Sequence, residues 1–163
     1  WLPTDSPATP YTVNYKAFEK LKSIPKPKIL HGVGFPVGSC RPPDHRHITP
    51  LLESIDLVDA KWTSEHLAFN TAIGDSGTYS TRFFLPPQQT LTNAETIAAN
   101  IRKICEKLSV PFAFENTVNY LRPRRGEIRD SNFIAEVAEK ADCGILLDIH
   151  NLWTNERNGR EAV

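Results

Sequence analysis

Four short apolar runs, each followed by polar side chains that bind metals, constrain this sequence more than any other feature. The runs lead into His31, into Glu65 and His66, into Glu115 and Asn116, and into Asp148, His150 and Asn151. Apolar runs bounded by Pro or Gly are typical of buried strands. In α/β proteins the functional side chains gather at the carboxyl ends of parallel strands. We therefore predict that these polar residues meet at one edge of a parallel sheet.

The spacing of the runs indicates a repeated strand-helix unit. Successive runs lie roughly 30 to 50 residues apart, and a strand-helix-strand unit needs roughly 30 or more. The pattern predicts strands over 27–34, 57–66, 110–116 and 144–149. It also predicts helices that begin at Pro50, at Thr92 and near Ser131, and an irregular loop over 67–90. Strands that alternate strictly with helices predict an α/β fold with a parallel sheet and a single domain.

Composition excludes several classes of function. The 163 residues include 19 Lys and Arg against 19 Asp and Glu, so no net charge attracts nucleic acid or an anionic membrane. No apolar stretch approaches the roughly 20 residues that cross a bilayer, and the first residues do not resemble a secretory signal. The three cysteines have unrelated spacings, which favours reduced thiols over a disulfide framework. We expect a soluble, cytoplasmic protein that binds neither nucleic acid nor membrane.

The polar residues at the strand ends indicate a metal site only as a group, because no single one of them is sufficient evidence. A single His on an apolar strand, such as His31, is more often a structural core residue than a ligand. Two His, a Glu and an Asp at equivalent strand ends predict a mixed nitrogen and oxygen site, which suits Zn, Mn or non-haem Fe. A buried Glu115 or Asp148 has a structural alternative, a salt bridge with a nearby arginine. Glu65 should point away from His66 on an alternating strand, so a supporting role is expected.

Two polar segments have weaker interpretations. His45 and His47 lie in a polar stretch that we expect to face solvent, with the alternative that a loop at the mouth of the site brings one of them toward substrate. The basic cluster of Arg122, Arg124 and Arg125 is most often a solvated surface, and its functional alternative is capture of an acidic peptide or a carboxylate substrate.

Taken together in their order, the motifs resemble a known enzyme family. The motifs are His31-Gly32-Val33-Gly34, Ser64-Glu65-His66-Leu67, Phe114-Glu115-Asn116 and Leu147-Asp148-Ile149-His150-Asn151-Leu152. They resemble the multinuclear non-haem iron-dependent oxidases, formerly a family of unknown function. The resemblance implies a (β/α)₈ TIM barrel related to xylose isomerase and endonuclease IV, with two or three iron ions at its carboxyl end. It also implies oxidation of cysteine or other residues in ribosomally made precursor peptides by O₂, a form of natural product biosynthesis, often with a separate peptide-binding partner protein.

The resemblance also assigns roles to individual residues. His31, His66 and Glu115 match the ligands of one metal, and Glu115 would bridge to a second metal held partly by Asp148, so these two carboxylates are the catalytic candidates. His150 and Asn151 fall where the family often carries two Asn, and both are candidate metal ligands. The remaining candidates, expected to support the ligands or contact substrate, are Glu65 and Asn116.

The barrel implied by the resemblance is larger than this chain. The resemblance places two strands before the His31 strand and two after Asp148, and an eight-stranded barrel typically needs about 250 residues. We therefore expect residues 1–163 to be an incomplete portion of a TIM barrel, about its middle four strands, which alone is inactive and either prone to aggregate or dimeric. Two other functions stay open: a Zn- or Mn-dependent hydrolase or isomerase on the same barrel, and a non-catalytic binding module.

Overall fold

A four-stranded parallel sheet forms the centre of the protein, seen in a computed structural model that describes residues 1–6, 9, 11–41, 45–75 and 77–162, without the side chains of Pro3 and His45. In chain order the elements are β1 (Leu2–Pro3), β2 (Tyr11–Thr12), α1 (Tyr15–Lys22), β3 (Lys28–His31), α2 (His45–Val58), β4 (Ala60–His66), β5 (Phe69–Gly74), β6 (Gly77–Leu85), α3 (Leu91–Cys105), β7 (Phe112–Glu115), α4 (Asp130–Ala141), β8 (Gly144–Leu146) and α5 (Ile149–Arg157). The central sheet has the strand order β3-β4-β7-β8. The prediction of an α/β fold with four parallel strands and flanking helices is confirmed, and the arrangement is consistent with part of a TIM barrel.

The register of the sheet aligns the ends of its strands. His31 pairs with Ser64, and His66 pairs with Glu115. Farther along, Glu115 pairs with Leu146 of β8. Because paired residues in a parallel ladder face the same side of the sheet, this register places the strand-end side chains side by side.

The main core lies between the sheet and helices α3 and α4. Ile97, Ile101 and Ile104 form the buried face of α3, and they pack in one cluster with Phe114 of β7 and Phe133 of α4. The helix begins at Leu91, one residue before the predicted start at Thr92, and Thr90 is its cap because its hydroxyl accepts the backbone N–H of Asn93. No helix in the described part of the chain is long and apolar enough to cross a membrane.

Helix α2 begins earlier than predicted. Its first residue is His45, and Pro50 lies in its second turn rather than at its start. The added turn packs inward, because Ile48 is buried and the ring of His47 stacks on Phe35 with centroids 5.3 Å apart. The expectation that His47 faces solvent is therefore wrong. The side chain of His45 lies outside the described residues.

The segment expected to be an irregular loop over 67–90 contains an antiparallel hairpin instead. Strands β5 and β6 pair from Phe69 opposite Leu85 to Gly74 opposite Gly77. Most side chains of β6 are exposed, so the sequence shows no burial alternation from which a strand could be read. The β-branched and aromatic residues of β6 were the available signal.

The fourth strand ends sooner than predicted. β8 stops at Leu146, and Asp148 caps helix α5, where its Oδ1 accepts the backbone N–H of Asn151 at 3.0 Å. His150 and Asn151 therefore lie in the first turn of a helix rather than beside a strand end. Asp148 is a short polar residue directly before the helix, as is typical of a helix cap. The apolar run that precedes it favoured a strand and obscured this signal.

Substitution of Phe114 tests the core. Phe114 is 0% exposed at the contact of β7 with α3 and α4, whereas Phe83 of the hairpin is 72% exposed. We expect Phe114→Ala to lower the free energy of unfolding by about 3–5 kcal/mol because it leaves a cavity. Phe83→Ala, the matched control, should change it by less than about 0.5 kcal/mol. Urea denaturation of the complete natural polypeptide measures both, and equal losses would contradict this packing.

Candidate metal centre

Three of the predicted ligands converge at the carboxyl edge of the sheet. His31, His66 and Glu115 end three neighbouring strands, and one ligand atom of each lies within 4.8 Å of the others. Oε2 of Glu115 is 2.9 Å from Nε2 of His31 and 3.5 Å from Nε2 of His66. The centroids of the two imidazole rings lie 4.7 Å apart. Two imidazole nitrogens and a carboxylate oxygen therefore face one point.

Each histidine is oriented through its other ring nitrogen. Nδ1 of His31 lies 2.9 Å from the hydroxyl of Ser64, and Nδ1 of His66 lies 3.2 Å from the carbonyl oxygen of Gly32. A carbonyl only accepts, so Nδ1 of His66 carries the proton and Nε2 presents its lone pair in the neutral ring. This pattern, in which the second nitrogen is tied to the protein, is typical of histidines that bind metals.

The electrostatic environment of the cluster favours the protonated forms of Glu115 and His66. Burial raises the pKa of Glu115, the nearby Asp148 carboxyl group raises it further, and the two histidines lower it, with a net rise above the ordinary value. Burial lowers the pKa of His66, but Glu65 and Glu115 outweigh that effect and raise it overall. A bound cation would reverse both preferences, because it stabilises the carboxylate and the neutral imidazole.

A network of amide side chains joins Glu115 to the start of α5. The Nδ2 group of Asn151 donates to Oε1 of Glu115 at 3.2 Å and to the backbone oxygen of Asn116 at 2.8 Å. The Asn116 side chain accepts the backbone N–H of Asp148 at 2.6 Å and donates to its carbonyl at 3.0 Å. Asn116 thus ties the end of β7 to the backbone of Asp148.

Glu65 occupies the opposite face of the sheet from the cluster. It is only 2% exposed and pairs in register with Phe114. Its Oε1 accepts the backbone N–H of Phe35 at 2.9 Å, and its Oε2 accepts that of His66 at 3.2 Å. A Cβ atom at Gly32 would lie 2.1 Å from Oε1 of Glu65, so the chain after His31 passes the carboxylate only as glycine. Glu65 therefore holds the loop that supplies the Gly32 carbonyl to His66.

The remaining predicted ligands are not brought into the three-residue group. Asp148 is close enough to Glu115 to raise its pKa, yet it lies outside the 4.8 Å group. His150 is exposed, and its ring lies 5.9 Å from that of Trp153. Asn151 reaches Glu115 through its N–H group.

Sequence reasoning missed two neighbours of the histidines. Ser64 contacts His31 across the strand pair, and its pairing could have been found only from the register of β3 and β4. The Phe84 ring lies 4.7 Å from that of His66 and comes from the hairpin that was expected to be a loop. No sequence pattern indicated its approach. Glu115 contacts histidines and an asparagine in the described structure, so the arginine salt bridge considered as its structural alternative is not formed.

Comparison with known proteins agrees with this architecture. The family model described as "RiPP precursor modification enzyme MbnB/TglH/ChrH", where RiPP denotes a ribosomally synthesised and post-translationally modified peptide, matches residues 11–162. The chain belongs to this family. The family prediction made from the four motifs is thereby confirmed.

Several bacterial proteins are similar to the chain over most of its length. A UPF0276 protein of Anaeromyxobacter sp. is 32% identical over 132 residues, which covers 81% of this chain and 45% of that protein. A UPF0276 protein of Chromobacterium violaceum is also 32% identical, over 81% of this chain and 46% of its own length. A relative from Neisseria meningitidis is 31% identical, with 81% and 45% covered. The chain thus spans about half the length of these relatives.

The close approach of Gly32 to the Glu65 carboxylate offers a test of how the loop after His31 is held in place. Gly32→Ala should lower the free energy of unfolding by about 1–3 kcal/mol, because the added methyl group overlaps Glu65. Gly34→Ala is the matched control, since its Cβ would meet only Trp1 at 4.0 Å. We expect its effect to stay below about 0.5 kcal/mol. Denaturant unfolding compares the two variants, and a harmless Gly32→Ala would show that Glu65 is not fixed there.

Proposed function

We propose that this chain carries the metal-binding part of an iron-dependent oxidoreductase that modifies cysteine or another residue of a ribosomally made precursor peptide with O₂. The observation that carries the proposal is the convergence of His31, His66 and Glu115, with both histidines held through Nδ1. Membership in a family of precursor-peptide modification enzymes supports the peptide substrate. A separate peptide-binding partner protein belongs to the same proposal.

The donor set fits iron on chemical grounds. Two histidines and one carboxylate on one side of a metal, with other positions open, are typical of non-haem Fe(II) oxygenases. Two of the three cysteines lie away from the site: Cys105 ends α3, Cys143 follows α4, and burial raises the pKa of Cys143 to about 12. A thiol with that pKa stays protonated and is a poor ligand.

A second ion is proposed beside the first. Oε2 of Glu115 faces the histidines, whereas its Oε1 faces Asn151, so its two oxygens point to different neighbours. Asp148 brings a second carboxylate to that side. We propose that Glu115 bridges two ions, that Asp148 holds the second, and that His150 or Asn151 completes its ligands.

The side chains around the cluster have separable tasks. Ser64 and the Gly32 carbonyl fix the imidazole rings, and Asn116 fixes Asp148. The ring of Phe84, from the hairpin, packs against the ring of His66. Iron bound there would supply the one-electron and O₂ chemistry that protein side chains lack.

We further propose that the chain forms the middle four strands of a (β/α)₈ barrel, a single incomplete domain without its first two and last two strands. The relatives are about twice as long. The edge strands β3 and β8 carry or adjoin exposed apolar residues such as Ile29 and Leu147, which neighbouring strands and helices would cover.

Metal analysis separates this function from its alternative. The same three donors also suit Zn or Mn, which would support a hydrolase or isomerase. More than one iron per polypeptide after anaerobic purification supports the oxidoreductase. Zinc or manganese at the site supports the alternative, and a protein that binds no metal contradicts both enzymes in favour of a binding module.

Replacement of Glu115 tests the bridging role. Glu115→Gln keeps the volume but removes the charge that holds the cation, so metal affinity should fall by at least about tenfold. Glu156→Gln, on the exposed side of α5, is the matched control and should retain full metal content. Elemental analysis of both purified variants of the complete polypeptide provides the measurement. Unchanged metal content in Glu115→Gln would make that carboxylate structural.

A further inference from the structure

The connection between β7 and α4 carries a basic segment, residues 120–126, which we call the basic loop. Arg122, Arg124 and Arg125 lie in it, and all three side chains are exposed. Tyr120 precedes them and is 66% exposed. Tyrosine and arginine are enriched in protein surfaces that bind other chains.

The positive charge of the basic loop is not neutralised by the acidic groups around it. Glu127 and Asp130 both pair with Arg160, at 3.1 and 2.7 Å. Glu161 pairs with Arg129 at 2.7 Å. In the part of the chain that the structure describes, no carboxylate forms an ion pair with the three arginines of the basic loop. The loop therefore presents three positive charges to solvent.

Buried side chains anchor the backbone at and before the basic loop. Oε2 of Glu127 accepts the backbone N–H of Arg124 at 2.9 Å, and its Oε1 accepts that of Gln89 at 3.2 Å. Before the loop, Oδ1 of Asn155 accepts the backbone N–H of Asn119 at 2.7 Å. A surface that is ordered before binding loses less conformational entropy when a partner binds. These anchors therefore favour binding at the basic loop.

The basic loop belongs to the carboxyl edge of the sheet, because the connection that contains it follows Glu115, the last residue of β7. Asn151 of α5 donates to Glu115. One helical turn farther along α5, Asn155 holds the backbone of Asn119. Arg122 is seven residues from Glu115, and seven residues span at most about 25 Å. An extended peptide of about eight residues is therefore long enough to join the basic loop to the metal centre.

We propose that the basic loop binds an acidic segment of the precursor peptide, apart from the residue that is modified; this proposal rests on the proposed function. A carboxylate pairs with a guanidinium group through two parallel N–H···O bonds, so the arginines offer both charge and geometry to Asp and Glu side chains. Three arginines within four positions favour a segment with several carboxylates over a segment with one. Because the pairs form at an exposed surface, salt should weaken the binding.

Two peptides test the charge preference directly. The probes are fluorescein-Leu-Phe-Gly-Glu-Gly-Glu-Glu-amide and its analogue with Gln in place of every Glu. Neither contains cysteine, so their binding does not depend on a reaction at the metal. Fluorescence anisotropy with the complete natural polypeptide at low ionic strength measures both dissociation constants. We expect the Glu peptide to bind about tenfold more tightly, the sum of three exposed ion pairs. Equal affinities would overturn the proposal.

Charge-removing variants locate the preference. The test variant combines Arg122→Gln, Arg124→Gln and Arg125→Gln, and it should bind the two peptides equally. The matched control combines Lys20→Gln, Lys22→Gln and Lys26→Gln, which removes the same charge from exposed lysines in and after α1, before β3 begins. It should keep the tenfold preference. A preference that survives the arginine variant, or that disappears in both variants alike, contradicts the proposal.

Thermal unfolding shows whether the triple arginine variant folds. If it does not, the single variants Arg122→Gln and Arg125→Gln decide: each should lower the preference about twofold, one third of the total on a logarithmic scale. An undiminished preference in both would overturn the proposal.

Single-stranded RNA is the competing partner, because arginines beside an exposed tyrosine also suit a phosphate backbone and its bases. A labelled twelve-nucleotide RNA should bind more weakly than the Glu peptide. RNA that binds more tightly, in a way that depends on the three arginines, would contradict the proposal.

Metal analysis of the same samples separates this proposal from the proposed function. The arginine variant should retain its metal. A protein without metal that still prefers the Glu peptide through the three arginines refutes the metal function alone. A metal-loaded protein that does not distinguish the two peptides refutes the role of the basic loop alone.

Discussion

The parallel pairing of β3, β4 and β7 is the constraint on which the rest of the site depends. Because His66 pairs with Glu115, and His31 with the Ser64 of the same neighbouring strand, side chains that are far apart in sequence face one point. The same register places Ser64 beside His31, where it fixes the ring. The backbone ladder therefore sets both the donors and their orientation, and a shift by one residue would turn them to the opposite face.

Two buried carboxylates near the sheet edge are stabilised in different ways. Glu65, 2% exposed, accepts two backbone N–H groups, and of the ionisable side chains only His66 is paired with it in the described structure, with Nδ1 3.7 Å from its Oε2. Glu115, 7% exposed, is surrounded by His31, His66 and the carboxyl group of Asp148, and burial raises its pKa. A carboxylate satisfied by the backbone is structural, whereas one placed among other ionisable groups is suited to a cation.

Sequence was sufficient to predict the sheet and the convergence of three polar side chains at its edge. Apolar runs that end in His31, His66 and Glu115 predicted strand ends, and strand ends of a parallel sheet meet. The sequence-based prediction failed where tertiary packing or helix capping determined the local structure. Asp148 followed an apolar run but caps a helix, and His150 consequently lies on an exposed helix face. The hairpin that carries Phe84 is mostly exposed, so its strands left no burial pattern to read.

The central proposal is that the aligned strand ends hold iron. Anomalous X-ray diffraction at the iron absorption edge, from crystals of the anaerobically purified complete polypeptide, tests that claim most directly. If iron is held there, a strong anomalous peak lies between Nε2 of His31, Nε2 of His66 and the carboxylate of Glu115. A peak at another place, or none at the iron edge between these three side chains, would contradict it.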